Sequence, residues 1–207
     1  RLDGRWALHL EAQLRRADPL GRTTQQLLLR PGVLFNVGGG AQLGAGYAWV
    51  ETAVYGEAPA AAPFGEHRAW QQLVVPATTG PVRWSTRFRT EQRWIAQVPR
   101  RGAEPTAWRY RDRVRVMTRA SVDAPRLGLP LRRAYLTSYG ELFLHAGESW
   151  EGQIFDQSRL AAQVGWRVTP RLRVEGGYMQ QYIQRGGSRL GENNHTLVVT
   201  MFATTGR

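Results

Sequence analysis

The chain has 207 residues, a net charge of +12, 42% hydrophobic residues, no cysteine and no lysine, so that all 28 basic residues are arginines. That length suits one large domain or one barrel; the missing cysteines exclude a disulfide framework, thiolate metal sites and cysteine nucleophiles. No run of about 18 apolar residues offers a transmembrane helix, but a barrel touches lipid with alternate residues only, so a mean hydropathy of −0.43 leaves a membrane open.

Helical periodicity is scarce, and period-two segments punctuated by Gly, Pro, Asn and Asp recur instead. The first, Arg5–Arg16, puts Trp6, Leu8, Leu10, Ala12 and Leu14 opposite His9, Glu11, Gln13 and Arg15. The second, Thr23–Val37, contains Pro31-Gly32, which predicts a bulge or bend. The third, Gln42–Val54, sets Leu43, Ala45, Tyr47 and Trp49 against Gln42, Gly44, Gly46 and Ala48. After the loop "YGEAPAAAPFG", the fourth segment, Glu66–Val75, has an ambiguous phase: Glu66 and Arg68 share a face with Trp70 unless a bulge intervenes. The fifth, Val82–Val98, divides into Trp84, Phe88 and Trp94 on one side and Arg83, Arg87, Arg89, Glu91 and Arg93 on the other. The sixth, Ala107–Val122, opposes Trp108, Tyr110, Val114 and Val116 to Arg109, Arg111, Arg113, Arg115 and Arg119. The seventh, Arg133–Ala146, sets Leu136, Leu142 and Leu144 opposite Tyr139 and Glu141. The eighth, Phe155–Val168, sets Leu160, Ala162, Val164, Trp166 and Val168 opposite Gln157, Arg159 and Gln163. The ninth, Arg171–Gln184, carries Leu172, Val174, Tyr178 and Tyr182, and the last, His195–Ala203, is apolar with an uncertain phase.

About ten segments, with twelve as the alternative, and no sign of a second domain predict one all-β domain over residues 1–207. The expected fold is a transmembrane antiparallel up-and-down β-barrel. With the chain ends on one side, the connections after segments two, four and eight are short. Those after three, five, seven and nine are longer, as in outer-membrane barrels; "DAPRLGLPL" after segment six fits less well. The missing cysteines fit an oxidising compartment, and the start at Arg1 reads as that of a processed or trimmed secreted chain.

Segment length and aromatic placement select the face that meets lipid. A tilted membrane strand needs about 9–11 residues, against 5–6 for a typical soluble strand. Trp84 and Trp94 lie about 33 Å apart at ~3.3 Å per residue, which strand tilt reduces to about the height of the apolar band. The aliphatic and aromatic face is therefore expected to look outward, with the arginine rows inside. The opposite arrangement is a soluble barrel or sandwich, and Thr86, Thr90 and Gln92 make a weak lipid face in its favour.

"EHRAWQQL", "RFRTEQRW", "YGELFLHAG", "FDQSRLAAQVGWRVTPRLRVEGGYMQQY" and "NNHTLVV" together resemble the domain of unknown function 2490 family over nearly the whole chain. Members are regarded as outer-membrane β-barrels with no established activity. The resemblance implies a secreted barrel and carries over no catalytic residues.

The candidate site is the lumen. Arg83, Arg87, Arg89 and Arg93 beside Arg109, Arg111, Arg113 and Arg115, with Arg68 and Arg159, would repel unless paired. Glu11, Glu66, Glu91, Glu141 and Glu175, one on each of five segments, are the inward counter-ions. A ten-stranded lumen is narrow enough for side chains to fill, so the plain expectation is a salt-bridged plug. The functional alternatives are a narrow anion-attracting path, a phosphate or carboxylate site, and rim arginines that meet lipopolysaccharide phosphates. Gln157, Gln163, Gln180 and Gln181 add neutral hydrogen-bonding capacity.

His9, His67, His145 and His195 show no metal-ligand spacing, and neither metal nor cofactor is expected. "HAGES" brings His145, Glu148 and Ser149 close in sequence, the rival reading being a membrane-embedded barrel enzyme acting on lipid or lipopolysaccharide. "GGG" and "RGGSRLG" lack the lysine and helix of a phosphate loop. Nucleic acid is not expected as a partner, because arginines and aromatics alternate onto opposite faces whereas a stacking platform wants both on one. The reading is thus a porin-like barrel in a Gram-negative outer membrane. Its lumen is Arg/Glu-lined and its role structural or binding, with restricted passage of small anionic or polar solutes as a further capacity. Its partners are outer-membrane lipids and lipopolysaccharide.

Overall fold

The computed structural model describes residues 4–17, 21–55, 62–147, 153–184 and 191–205. Ten strands form: β1 (Trp6–Ala17), β2 (Thr23–Gly38), β3 (Ala41–Thr52), β4 (Phe64–Thr79), β5 (Val82–Gln97), β6 (Ala107–Asp123), β7 (Ala134–Ala146), β8 (Phe155–Thr169), β9 (Leu172–Gln184) and β10 (Gly191–Ala203). Each pairs antiparallel with its chain neighbours in one up-and-down sheet, ordered β1 to β10. Ten strands, not twelve, are formed by the described residues, each 12 to 17 residues long.

The sheet curls into a half-barrel, so strands far apart in the order meet on its concave side. Arg30 of β2 approaches Glu91 of β5 at 3.6 Å. Arg119 of β6 bonds Glu175 of β9 and lies 5.8 Å from the ring of Phe202 on β10. Among the described residues, the outer edges of β1 and β10 carry no strand partner. In place of the expected closed barrel, the described residues form a curled sheet, a half-barrel, with β1 at one margin and β10 at the other.

The two faces are those the alternation predicts. On the convex face Trp84, Phe88 and Trp94 are exposed, as are Leu136, Leu142, Leu160, Val164 and Trp166. The phase of β10 resolves the same way: Leu197, Val199 and Met201 are 86%, 79% and 68% exposed. On the concave face Arg89, Glu91, Glu141 and Glu175 are buried.

One local expectation needs correction, and one open phase is resolved. Pro31-Gly32 makes no bulge; Leu10↔Pro31 and His9↔Gly32 continue the β1–β2 register, and the shift falls at Arg15/Arg16 instead. In β4 no bulge rescues the phase, and Trp70 points inward with Glu66 and Arg68, fully buried. Space comes from glycine: an added β-carbon would lie 2.3 Å from Trp70 Cζ2 at Gly32 and 2.8 Å from it at Gly46. The buried indole N–H is not stranded, because Trp70 Nε1 donates to the Tyr47 carbonyl at 3.0 Å.

On the side of the chain ends, β2–β3 and β4–β5 are joined by tight turns with positive φ at Gly39, Gly40 and Gly80. The β8–β9 turn is fastened by Thr169 Oγ1, which accepts from the amides of Arg171 and Leu172. The longer β6–β7 connection on that side holds one 3-10 turn, Ala124–Leu127, closed by Gly128 at φ 80°. The connections after β3, β5 and β7 are longer and lie at the other end.

Candidate functional site

The concave face is built around Glu91, which is 0% exposed. Register sets Arg113 directly opposite it on β6, with Arg115 the next residue of the same phase. Arg113 Nη2 and Arg115 Nη1 each donate to the Glu91 carboxylate at 2.6 Å. Arg30 Nη2 stands 3.6 Å and Arg68 Nη1 3.9 Å from it, so one carboxylate ties β2, β4, β5 and β6 together.

Glu141, on β7, is the second node. It accepts from Arg115 Nη2 at 2.7 Å and Arg87 Nη2 at 2.8 Å, with Arg159 Nη1 at 3.8 Å. Between the nodes sits Phe143, 1% exposed, with the guanidinium carbons of Arg113, Arg115 and Arg159 at 5.2, 4.4 and 4.7 Å from its ring. The ring face attracts cations that would otherwise crowd one another.

Smaller pairs extend the lattice. Toward the longer connections, Glu66 holds Arg68 Nε at 2.6 Å and Arg93 Nη2 at 3.1 Å. Glu11 accepts from Arg30 Nη1 at 2.7 Å, and Asp156 lies 3.2 Å from Arg113 Nη1. Toward the chain ends, Glu175 accepts from Arg119 and, at 2.6 Å, from the Tyr135 hydroxyl. Tyr135 reaches that place over Gly165, where a β-carbon would stand 2.1 Å from the ring.

The predicted residues divide accordingly. Glu11, Glu66, Arg68, Arg87, Glu91, Arg93, Arg113, Arg115, Glu141 and Arg159 are brought into one ion-pair lattice, Arg89 lies beside it bonded to Gln72, and Glu175 forms a separate pair with Arg119. Arg83 is not part of this centre; it sits at the rim, where its guanidinium grips Asp123 through two bonds of 2.7 and 2.9 Å. Arg109 and Arg111 stand opposite Ile95 and Arg93 near the start of β6, away from Glu91, and Arg109 is exposed. Gln157 and Gln181 meet inside at 2.8 Å, whereas Gln180 is exposed and bonds Asn193.

Sequence reasoning missed Arg30, Asp156, Asp123, Arg167, Gln72 and the inward Phe143, and it left the phase of Trp70 open. Arg30 follows the apolar run Leu27–Leu29, which hides the phase of β2. Phe143 shares its phase with Glu141, and that signal was available.

Among the described residues Arg30, Arg68, Arg87, Arg93, Arg113, Arg115 and Arg159, with Arg89 beside them, face Glu11, Glu66, Glu91, Glu141 and Asp156, eight guanidiniums to five carboxylates, and Arg119 and Glu175 add one separate pair. Guanidinium carries its charge at neutral pH, so the concave face is electropositive.

His145 closes β7, while Glu148, Ser149 and the segment 185–190 lie outside the described residues. His67 and His195 stand on the convex face, each bonded through Nδ1 to a tyrosine hydroxyl, Tyr47 and Tyr178. Among the described residues no three His, Asp or Glu side chains group as a metal site.

Compared with known proteins, the chain matches one family model, described as protein of unknown function (DUF2490), over residues 1–191. No curated protein and no solved structure matches it.

Proposed function

Since the chain belongs to the DUF2490 family, whose description assigns no activity, we propose a function from the distribution of charge and apolar surface: an outer-membrane β-barrel of a Gram-negative bacterium with a plugged, electropositive lumen and a structural or binding role. The carrying observation is the inversion of the usual soluble plan. Glu91 and Arg89 are 0% and 2% exposed while Leu160 and Leu197 are 62% and 86% exposed. In water such a convex face would be a large contiguous apolar patch. In hydrocarbon it is the favourable solvent contact, with Trp84, Trp94, Trp108 and Tyr110 among the aromatic side chains placed to meet the interfaces.

Lipid does not tolerate free strand edges, because their N–H and C=O groups find no partner there. The proposed membrane form therefore closes β1 on β10. An even strand count makes that pairing antiparallel, and both strands turn apolar residues outward: Leu8 and Leu10, Leu197 and Val199. With Glu91, Phe143 and Glu141 packed across its middle, the lumen admits at most restricted passage of small anionic or polar solutes. Rim arginines such as Arg109 are placed to meet lipopolysaccharide phosphates.

The test is refolding in detergent. The proposal expects a β-rich circular dichroism spectrum that requires detergent, heat-modifiable gel migration and, in planar bilayers, silence or small anion-favouring currents. A freely soluble monomer without surfactant would overturn it, and large steady conductance would overturn the plug.

A further inference from the structure

Among the described residues Arg89 is the one buried lattice guanidinium whose bonded partner is neutral. It is 2% exposed, and its Nε and Nη2 both donate to the single oxygen Gln72 Oε1, at 3.1 and 2.6 Å. Its ring contact is Trp70, 5.1 Å below. Nη1 is buried without a hydrogen-bond partner. Two further arginines in electrostatic reach of it, Arg30 and Arg87, each keep a buried, unpartnered Nε–H. Arg87 is the next inward residue of β5, and Arg30 crosses the lumen to within 3.6 Å of Glu91. Three like charges thus gather where the neighbouring carboxylates are already engaged: Glu11 by Arg30, Glu91 by Arg113 and Arg115, and Glu141 by Arg87 and Arg115.

A buried charge without a counter-ion is strongly unfavourable, arginine cannot shed its proton, and a buried donor left unmet costs further. We infer that Arg30, Arg87 and Arg89 form an internal site for one small oxyanion of the phosphate class. Such an ion supplies the missing negative charge and several acceptor oxygens to donors arriving from two strands. Chloride supplies the charge but a single acceptor atom with no fork geometry. Gln72 positions the Arg89 guanidinium by holding two of its donors, and Trp70 bears its face.

The site goes beyond the proposed membrane function and does not require an open pore. Its test uses the whole 207-residue chain folded in detergent, with heat-modifiable migration confirming the fold first. Equilibrium dialysis with radiolabelled inorganic phosphate, at fixed ionic strength in sodium chloride, is expected to give saturable binding at one phosphate per chain. Sulfate should compete and chloride should not. Arg89→Gln should weaken phosphate binding at least tenfold, whereas Arg126→Gln, on the exposed 3-10 turn, should leave it unchanged. Because Arg89→Gln could misfold, a second readout uses the parent chain: phosphate should change the emission of Trp70, and Trp70→Phe should remove that change. Protein that folds in detergent yet binds no more phosphate than chloride competition allows would overturn the site alone, its orphan donors then being met by water. Failure to fold in detergent would instead count against the membrane reading.

Discussion

The ring of Trp70 occupies the space a side chain on Gly32 would need: a β-carbon there would lie 2.3 Å from Cζ2. Gly46, directly opposite Trp70 in the β3–β4 ladder, completes the slot. A large aromatic can therefore face a lumen that its neighbours Glu66 and Arg68 make polar.

The slot predicts its own mutational signature. Gly32→Ala should destabilise the detergent-folded protein by about 1–3 kcal/mol, the usual cost of overpacking. Gly140→Ala, with nothing within 4 Å of the added carbon, should be near neutral. Urea unfolding of both variants measures the difference, and equal stability would mean that Trp70 does not sit against Gly32.

Glu91 should be the most sensitive charge in the lattice. Glu91→Gln removes the shared partner of Arg113 and Arg115, and breaking a buried pair typically costs about 3–5 kcal/mol. Arg83→Gln breaks only the exposed rim pair with Asp123, expected at about 1 kcal/mol or less. Similar losses for both would contradict a dry, crowded centre.

The convex face distinguishes lipid from water. Leu160→Arg places a charge on a position 62% exposed near the middle of β8. In lipid vesicles it should cost about 2–4 kcal/mol if it lies near the bilayer midplane. In a water-soluble sheet the same change at an exposed leucine would be almost silent, so folding free energies in vesicles decide between the two.

Closure of the edges can be trapped covalently, since the chain has no cysteine of its own. Leu10→Cys on β1 combined in turn with Leu197→Cys, Val199→Cys or Met201→Cys on β10 samples three staggers of the same outward phase. One of the three should oxidise in the detergent-folded protein, because strand pairing brings α-carbons within the roughly 4.4–6.8 Å a disulfide spans. No bridge in any of them would leave the sheet open.

Strand positions were readable because the pleat is local. Successive side chains point to opposite faces whatever the rest of the chain does, so "RWSTRFRTEQRW" alone separates Trp84 and Trp94 from Arg89 and Glu91. Where composition blurred the alternation, as in the leucine run before Arg30, local reasoning lost the phase, and at Trp70 it left the phase open. It also placed Arg83 and Arg109 with the central arginines, because period-two spacing carries no information about depth along the strand.

The sequence by itself determined an all-β antiparallel chain of about ten strands, the faces of most of them and the wealth of arginine on one side, for each follows from a two-residue repeat and the turns that interrupt it. Only the tertiary structure decided that Glu91 gathers Arg30, Arg68, Arg113 and Arg115 and that Arg89 is left with a glutamine. It alone showed that Trp70 enters the concave face through missing β-carbons, and that among the described residues β1 and β10 do not pair with each other. Those contacts join strands distant in sequence, and their pairing depends on the curl of the sheet and on the stagger accumulated from strand to strand, quantities that no single segment encodes.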